Sequence, residues 1–290
     1  MPKVSRPEPV VTALRAVDYL IIGHASNDLS PQGPTLGGTV AYAGLTAHAL
    51  GLRVGVVTSA AEDVDFSPLR DLQVHRISAP VSTSFENVYT AEGRVQTING
   101  QATALGRSAV PRPWLSAPIV HLAPIACEID PELARAFPGS FLGMTPQGWM
   151  RRWDQAGRVR LTTWEVIRDL LPAASAAVLS IEDLQGDLQA AQVMAEHCRV
   201  LVVTEGPRGA RVHAQGEWRS VPAPAAQEVD PTGAGDVFAA VFFAQLHRGG
   251  DAWQAAAHAN HVAAGSVTRR GLASAPDAAE ATAALARARP

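Results

Sequence analysis

The chain has 290 residues, a net charge of −3 and 47% apolar residues. It is long enough for one large α/β domain and carries no net basic field that would draw nucleic acid or an anionic membrane. The sequence contains a single lysine, Lys3, beside the N-terminus, which excludes a P-loop and a protein-kinase fold, since both need a lysine on the phosphates.

Two cysteines, Cys127 and Cys198, have no partners at zinc-site spacing and suggest no disulfide framework. No run approaches the roughly 20 apolar residues of a membrane span, and the proline-rich opening has no signal-peptide core. The expectation is a cytoplasmic protein with a flexible tail over residues 1–16.

In chain order, residues 17–22 form a β-branched and aromatic run ending at Gly23, which reads as a buried strand. A loop rich in Asn, Asp, Pro and Gly extends to residue 36. Gly37 and Gly38 then open an alanine-rich helix over 39–50, stopped by Gly51, and a strand over 53–58 follows at once. Such a βαβ unit crosses over right-handed and implies a parallel sheet with helices on its faces.

Runs at 85–90 and 94–98, separated by Ala91-Glu92-Gly93, predict a hairpin; its weak alternation and polar content put it at the edge of the main sheet. Strands at 119–122, 177–180 and 200–204 alternate with helical stretches at 131–137, 163–171 and 187–197. A hairpin at 211–221 precedes an apolar helix over 234–246 and a further helix over 253–269.

The segment Asp230-Pro231-Thr232-Gly233-Ala234-Gly235-Asp236 opens the helix at 234–246. Small residues at a helix start leave backbone N–H groups uncovered, and the dipole stabilises an anion there by about 0.3–2 kcal/mol. In a chain without usable lysines this is the natural cradle for a terminal phosphate. Asp236, in the first turn, can face the same spot and accept a proton from an attacking hydroxyl. The plainer reading is a tight turn with an acid favourable to the dipole, but the helix behind it is apolar on nearly every side, and a carboxylate at its mouth needs a reason.

The segment closely resembles the C-terminal signature of the ribokinase-like (PfkB) carbohydrate kinases, and Leu36-Gly37-Gly38-Thr39-Val40-Ala41 leading to Ala49-Leu50-Gly51 resembles their N-terminal signature. The resemblance runs from about residue 17 to 272. It implies a three-layer αβα domain over 17–290 with a mostly parallel sheet, and a small β lid formed by about 24–36 and 82–101. It implies transfer of the γ-phosphate of ATP to a hydroxyl, with Asp236 as base and Gly233, Ala234 and Gly235 as anion hole. The intact Asp236 argues against the competing reading, a silent binding protein on the same scaffold.

The same resemblance assigns Asp28, Gly37 and Gly38 to the acceptor, although Asp28 also suits an Asx-turn and the glycines a plain helix start. Tyr42 stands where the family commonly has Asn. Together with Thr145-Pro146-Gln147-Gly148-Trp149 and the lid sequence around Asn87, it looks more like the inositol-kinase branch, with Asn87 and Gln147 as amide contacts to a polyol. A cyclitol such as myo-inositol is the first expectation, a pentose, hexose or nucleoside the next. Thr204, Gly206 and Gly209 resemble the turn beside ATP, with Ser180, Thr232 and Asn260 as further nucleotide neighbours.

The family's Asn-x-x-Glu motif falls on Ser180-Ile181-Glu182-Asp183, so Asp183 becomes the Mg²⁺ carboxylate, its plainer role being an acid before a helix. Asp230 is the candidate for K⁺, or simply braces its loop. Arg94, Arg151 and Arg152 are phosphate contacts by position, but exposed arginines are usually solvated, and they stay outside the expected site. A homodimer through the lid edge completes the expectation.

Overall fold

The computed structural model describes residues 14–31, 33–90 and 93–287. The expected tail at 1–16, except for 14–16, and the turn residues Ala91 and Glu92 lie outside the described residues.

The first strand, β1 (Tyr19–Ile22), is fully buried and leads into two short strands, β2 (Ser26–Leu29) and β3 (Thr35–Gly37), within the segment expected to be loop. Then follow helix α1 (Thr39–Ala49), β4 (Val54–Ala60), β5 (Gln73–Ser78), and the hairpin β6 (Thr83–Thr90) and β7 (Gly93–Gly100). The middle of the chain adds β8 (Ile119–Leu122), β9 (Phe141–Met144) and a small hairpin, β10 (Arg151–Trp153) with β11 (Val159–Leu161). After β12 (Ala176–Ser180) come helix α2 (Leu188–Ala195), β13 (Val200–Thr204), β14 (Ala210–Ala214) and β15 (Glu217–Val221). Helices α3 (Ala234–His247), α4 (Ala252–Ser266) and α5 (Ala278–Arg287) end the fold.

The main sheet has the order β15-β14-β13-β12-β9-β8-β1-β4-β5, parallel from β13 to β5 and antiparallel at the β14–β15 edge. One face, with Tyr19, Ile21, Val54 and Val202, packs on α1, α3 and α4. In α3 every residue from Val237 to Ala244 is buried. The opposite face, with Leu20, Ile22 and Leu122, is covered by α2 and short 3₁₀ turns, one of which brings Trp114.

Those turns replace two expected helices. Residues 131–137 form a single 3₁₀ turn at Pro131–Arg135, and 163–171 a turn at Trp164–Ile167 with another at Leu171–Ala173. Pro138 and Pro172 follow the two segments and bias the residues before them away from the helical region, so neither segment extends into a longer helix.

The expected hairpin does not lie at the edge of the main sheet. It forms a separate four-stranded sheet, β3-β2-β6-β7, in which β2 pairs parallel with β6. The β10–β11 hairpin adjoins it, with Ile98 donating to the Gly157 carbonyl. Among the described residues, no helix is long and apolar enough to cross a membrane.

Candidate active site

The order of the main sheet reverses at β1, which lies between β4 and β8. In open α/β sheets the crevice beyond the carboxyl ends of the strands at such a point is where ligands bind. The loops leaving β1 and β8 are fastened there by Glu128, which is fully buried and accepts the amides of His24 (2.9 Å), Ile125 (3.0 Å) and Ala126 (2.7 Å). His24 bonds in turn to the Thr83 hydroxyl at the root of β6 (2.6 Å) and the Thr103 carbonyl (2.9 Å), joining the small sheet to the large one.

Two helix N-termini open into this crevice, and neither is capped by a side chain. Helix α1 starts after Gly38 at φ 84°, where a Cβ would lie 2.7 Å from the His24 carbonyl oxygen. Helix α3 starts after Gly233 at φ 81°, where a Cβ would lie 2.3–2.5 Å from the Tyr42 ring. Both positions therefore require glycine.

The Ala234 amide, expected to be bare, donates to the Pro231 carbonyl at 3.1 Å as part of the turn. Around Gly235 a Cβ would meet nothing within 4 Å, so that side of the turn is open.

Asp236, third residue of α3, accepts a hydrogen bond from Thr39, first residue of α1, so the two amide-rich ends meet at one carboxylate. Burial pushes the Asp236 carboxyl up to about 6; the Thr39 bond and the charge of Arg151 pull it down, and Asp183 and Asp28 push it up. Burial, then the carboxylates of Asp28, Asp236 and Asp230, hold the Tyr42 hydroxyl protonated.

Asp28, on β2, accepts from the Ser26 hydroxyl at 2.8 Å, and its carboxylate lies over Gly37, where a Cβ would come within 2.1 Å. Asn87 on β6 accepts from Gln96 at 3.0 Å and shares a face with Phe85, two residues before it. That face turns toward Arg151, whose guanidinium stands 5.8 Å from the Phe85 ring. Gln147 accepts from Arg151 at 3.1 Å and reaches the Thr39 hydroxyl at 3.4 Å.

On the other side, Asp183 accepts the Ser180 amide at 2.9 Å, while the Ser180 hydroxyl accepts the Glu182 amide at 3.1 Å. Among the described residues no group of three or more His, Cys, Asp or Glu could hold a metal ion. Asp183 therefore fits only an ion that keeps most of its waters, as Mg²⁺ does. Thr204 ends β13 with its hydroxyl 3.4 Å from the Leu179 carbonyl; Gly206 (φ 58°) and Gly209 (φ 93°) shape the next turn, where a Cβ on Gly209 would sit 2.2 Å from the Val221 carbonyl. A cleft of about 530 Å³ beside this turn is lined by Ile181, Glu182, Glu205, Arg208 and Arg211 among others, and Asp28, Asp183 and Asp236 do not line it.

Asn260 spends its amide N–H groups on the carbonyls of Val221 (2.8 Å) and Pro222 (3.3 Å). Asp230 accepts the amides of Thr232 (3.0 Å) and Gly271 (3.3 Å). Burial pushes its carboxyl up, but these bonds and Arg270 outweigh that and hold it below the usual value. Both side chains are therefore used as braces.

The structure thus brings Asp28, Gln147, Asp183 and Asp236 together and adds Thr39, Glu128 and Arg151, which sequence reasoning left out. Arg151, which by sequence reads as solvated surface, is half-buried with its guanidinium on the Ile125 carbonyl (3.0 Å) and Gln147. Its only sequence signal is position, four residues after Gln147.

Residues 155–279 match the family described as pfkB family carbohydrate kinase. A cytidine kinase of Thermococcus kodakarensis is 27% identical over 257 residues, which cover 80% of this chain and 90% of that protein. Among solved structures, a pyrophosphate-dependent myo-inositol-1 kinase converted into a myo-inositol-3 kinase superposes with a TM-score of 0.78 at 20% identity, over 93% of this chain and 98% of the other. The ribokinase of Arabidopsis thaliana, complexed with ribose and ATP, superposes with a TM-score of 0.72 at 19% identity, over 93% and 99%.

Proposed function

We propose that the chain is a carbohydrate kinase of the pfkB family, whose model matches residues 155–279, and that it phosphorylates a hydroxyl of a small polyol with Asp236 as general base. The observation that carries the reading is the meeting of two uncapped helix N-termini at a carboxylate whose pKa lies at about 6. Such a group is ionised at neutral pH yet basic enough to take a proton as the hydroxyl attacks, an effect worth roughly 10²–10⁴-fold. Negative charge on the transferring phosphoryl group meets the amides at Gly233 and Gly235, which need no reorganisation.

The acceptor lies between Asp28, Asn87 and Gln147, with the backbone of Gly37 and Gly38 beside it. The β3-β2-β6-β7 sheet acts as the lid, excluding water that would otherwise take the phosphate. ATP is the proposed donor, held along Ser180 and the Thr204–Gly209 turn, with Thr232 near its phosphates and Asn260 bracing the loop behind. Mg²⁺, organised by Asp183, would neutralise charge on the donor phosphates; Asp230 is the residue proposed to stand near K⁺. The outer face of the lid exposes Val88 and Val95, partners in the β6–β7 register, and a homodimer through this sheet is part of the same proposal.

A cyclitol is the first acceptor, because the side chains facing it are mostly polar. A nucleoside is the second, favoured by the cytidine kinase that is 27% identical over most of this chain. Turnover across inositols, pentoses, hexoses and nucleosides, with ATP and pyrophosphate as alternative donors, ranks them. Asp236→Asn lowers turnover at least roughly 100-fold while donor binding persists; near-normal turnover would remove the base from its role.

A further inference from the structure

The guanidinium of Arg151 bridges three parts of the fold. Nη1 donates to the Ile125 carbonyl, in the loop leaving β8 (3.0 Å), and Nη2 to Oε1 of Gln147 (3.1 Å). The Gln147 amide nitrogen faces the Thr39 hydroxyl oxygen (3.4 Å), and Thr39 bonds to Asp236. The Phe85 ring of the small sheet lies 5.8 Å from the guanidinium carbon.

The chain of bonds has a direction. An arginine only donates, so Gln147 must turn its oxygen to Arg151 and its NH₂ to Thr39. The Thr39 oxygen then accepts, and its hydrogen is left for the Asp236 carboxylate. One Asp236 oxygen is thereby held, and the other is left for an acceptor hydroxyl.

We infer that Arg151 is a positioning residue for Asp236, setting the orientation and charge of the base through Gln147 and Thr39. The inference rests on the reading of Asp236 as the base and goes beyond it by naming what aims that base. The groups acting on Asp236 come from several elements: Asp28 on β2 and Asp183 after β12 oppose its ionisation, and Thr39 on α1 and Arg151 on β10 favour it. Tyr19 on β1 and Tyr42 on α1 lie close enough to feel its charge and stay protonated. Among these described groups Arg151 is the cation. Lysine would keep the charge but could not reach Ile125 and Gln147 with one planar fork.

The test is the pH profile of kcat/KM for Arg151→Met, Arg151→Lys and Asp236→Asn, with the acceptor and donor that the panel ranks first. Arg151→Met is expected to lose roughly 10- to 100-fold in kcat/KM as the base goes out of line. Its acid limb is expected to move up by roughly one pH unit as the nearby positive charge is removed. Arg151→Lys should return the limb to the parental pH while kcat/KM stays low.

A purely structural Arg151 would lower the melting temperature of both variants and leave the limb in place. That result, or kcat/KM within about twofold of the parent in Arg151→Met, overturns the inference. If Arg151→Met does not fold, Arg151→Lys decides: parental kcat/KM removes the fork from its role. Asp236→Asn separates the two layers, since an active Asp236→Asn defeats the base itself, whereas an inactive one beside a parent-like Arg151→Met defeats only Arg151.

Discussion

Gly233→Ala and Gly235→Ala change one methyl each, two residues apart in the same turn, and should have opposite effects on stability. At Gly233 the backbone has φ 81°, and the new Cβ would sit 2.3–2.5 Å from three atoms of the Tyr42 ring. The left-handed conformation costs an L-residue about 1–2 kcal/mol. Displacing a ring that is 3% exposed costs about 1–3 kcal/mol. The lower entropy of an unfolded alanine returns about 0.4–1 kcal/mol.

The net for Gly233→Ala is a loss of about 1–5 kcal/mol, or roughly 2–10 °C in melting temperature for a domain of this size. Gly235 has no positive φ and nothing within 4 Å of a new Cβ, so its alanine should be neutral or stabilising by up to about 1 kcal/mol. Urea unfolding of both variants measures the difference. In a double-mutant cycle with Tyr42→Ala, the clash term of Gly233→Ala should vanish and the backbone strain remain. If the two glycine variants are equally stable, the packing of Tyr42 under the turn is refuted.

The raised pKa of Asp236 also makes a stability statement. Its folded value of about 6 lies above the 3.8 of the unfolded chain, so the native state binds the proton more tightly and loses stability as pH rises from about 4 to about 6. Asp236→Asn removes that cost and should be more stable than the parent at pH 7.5 by on the order of 3 kcal/mol at most; differential scanning calorimetry should show the gap closing below pH 4. His121 has the opposite sign. Burial pushes it down to about 3 from 6.5, so its neutral form is fully compatible with folding above pH 6.5 and it destabilises progressively as pH falls toward 3. Urea midpoints of His121→Gln against pH should fall less steeply than the parent's in that window, by about one proton. Glu128→Gln places an NH₂ among three amide donors that now point at a carboxylate, and should cost about 2–4 kcal/mol by urea unfolding.

The parts of the fold legible in the sequence are those whose physics is local. The runs at 119–122 and 200–204 appear as strands with those bounds, because a strand buried on both faces reads as a nearly continuous apolar run. Ser26–Leu29 carries Ser, Asn and Asp, and Gln73–Ser78 alternates weakly; their pairing with distant strands, not their composition, makes them strands. The site divides in the same way. The turn from Asp230 to Asp236 is a contiguous motif whose glycines announce themselves, whereas Thr39, Gln147, Arg151 and Asp236 meet across nearly 200 positions. Glu128 looks like any other loop acid until the loops leaving β1 and β8 close around it.

Two helix N-termini on their own would make a carboxylate strongly acidic, since each dipole favours the anion. The structure gives it a pKa of about 6 instead, because burial outweighs Thr39 and Arg151 while Asp28 and Asp183 add to the opposition. In the resting protein at neutral pH the ionised Asp236 carboxylate faces both helix ends, and burial makes that charge easy to neutralise. An incoming phosphoryl group brings negative charge to the same amides, and the transfer of a proton to Asp236 removes the charge that competes for them. On the proposed reading, a base and an anion hole that share one pair of helix ends are each at their best when the other has been used.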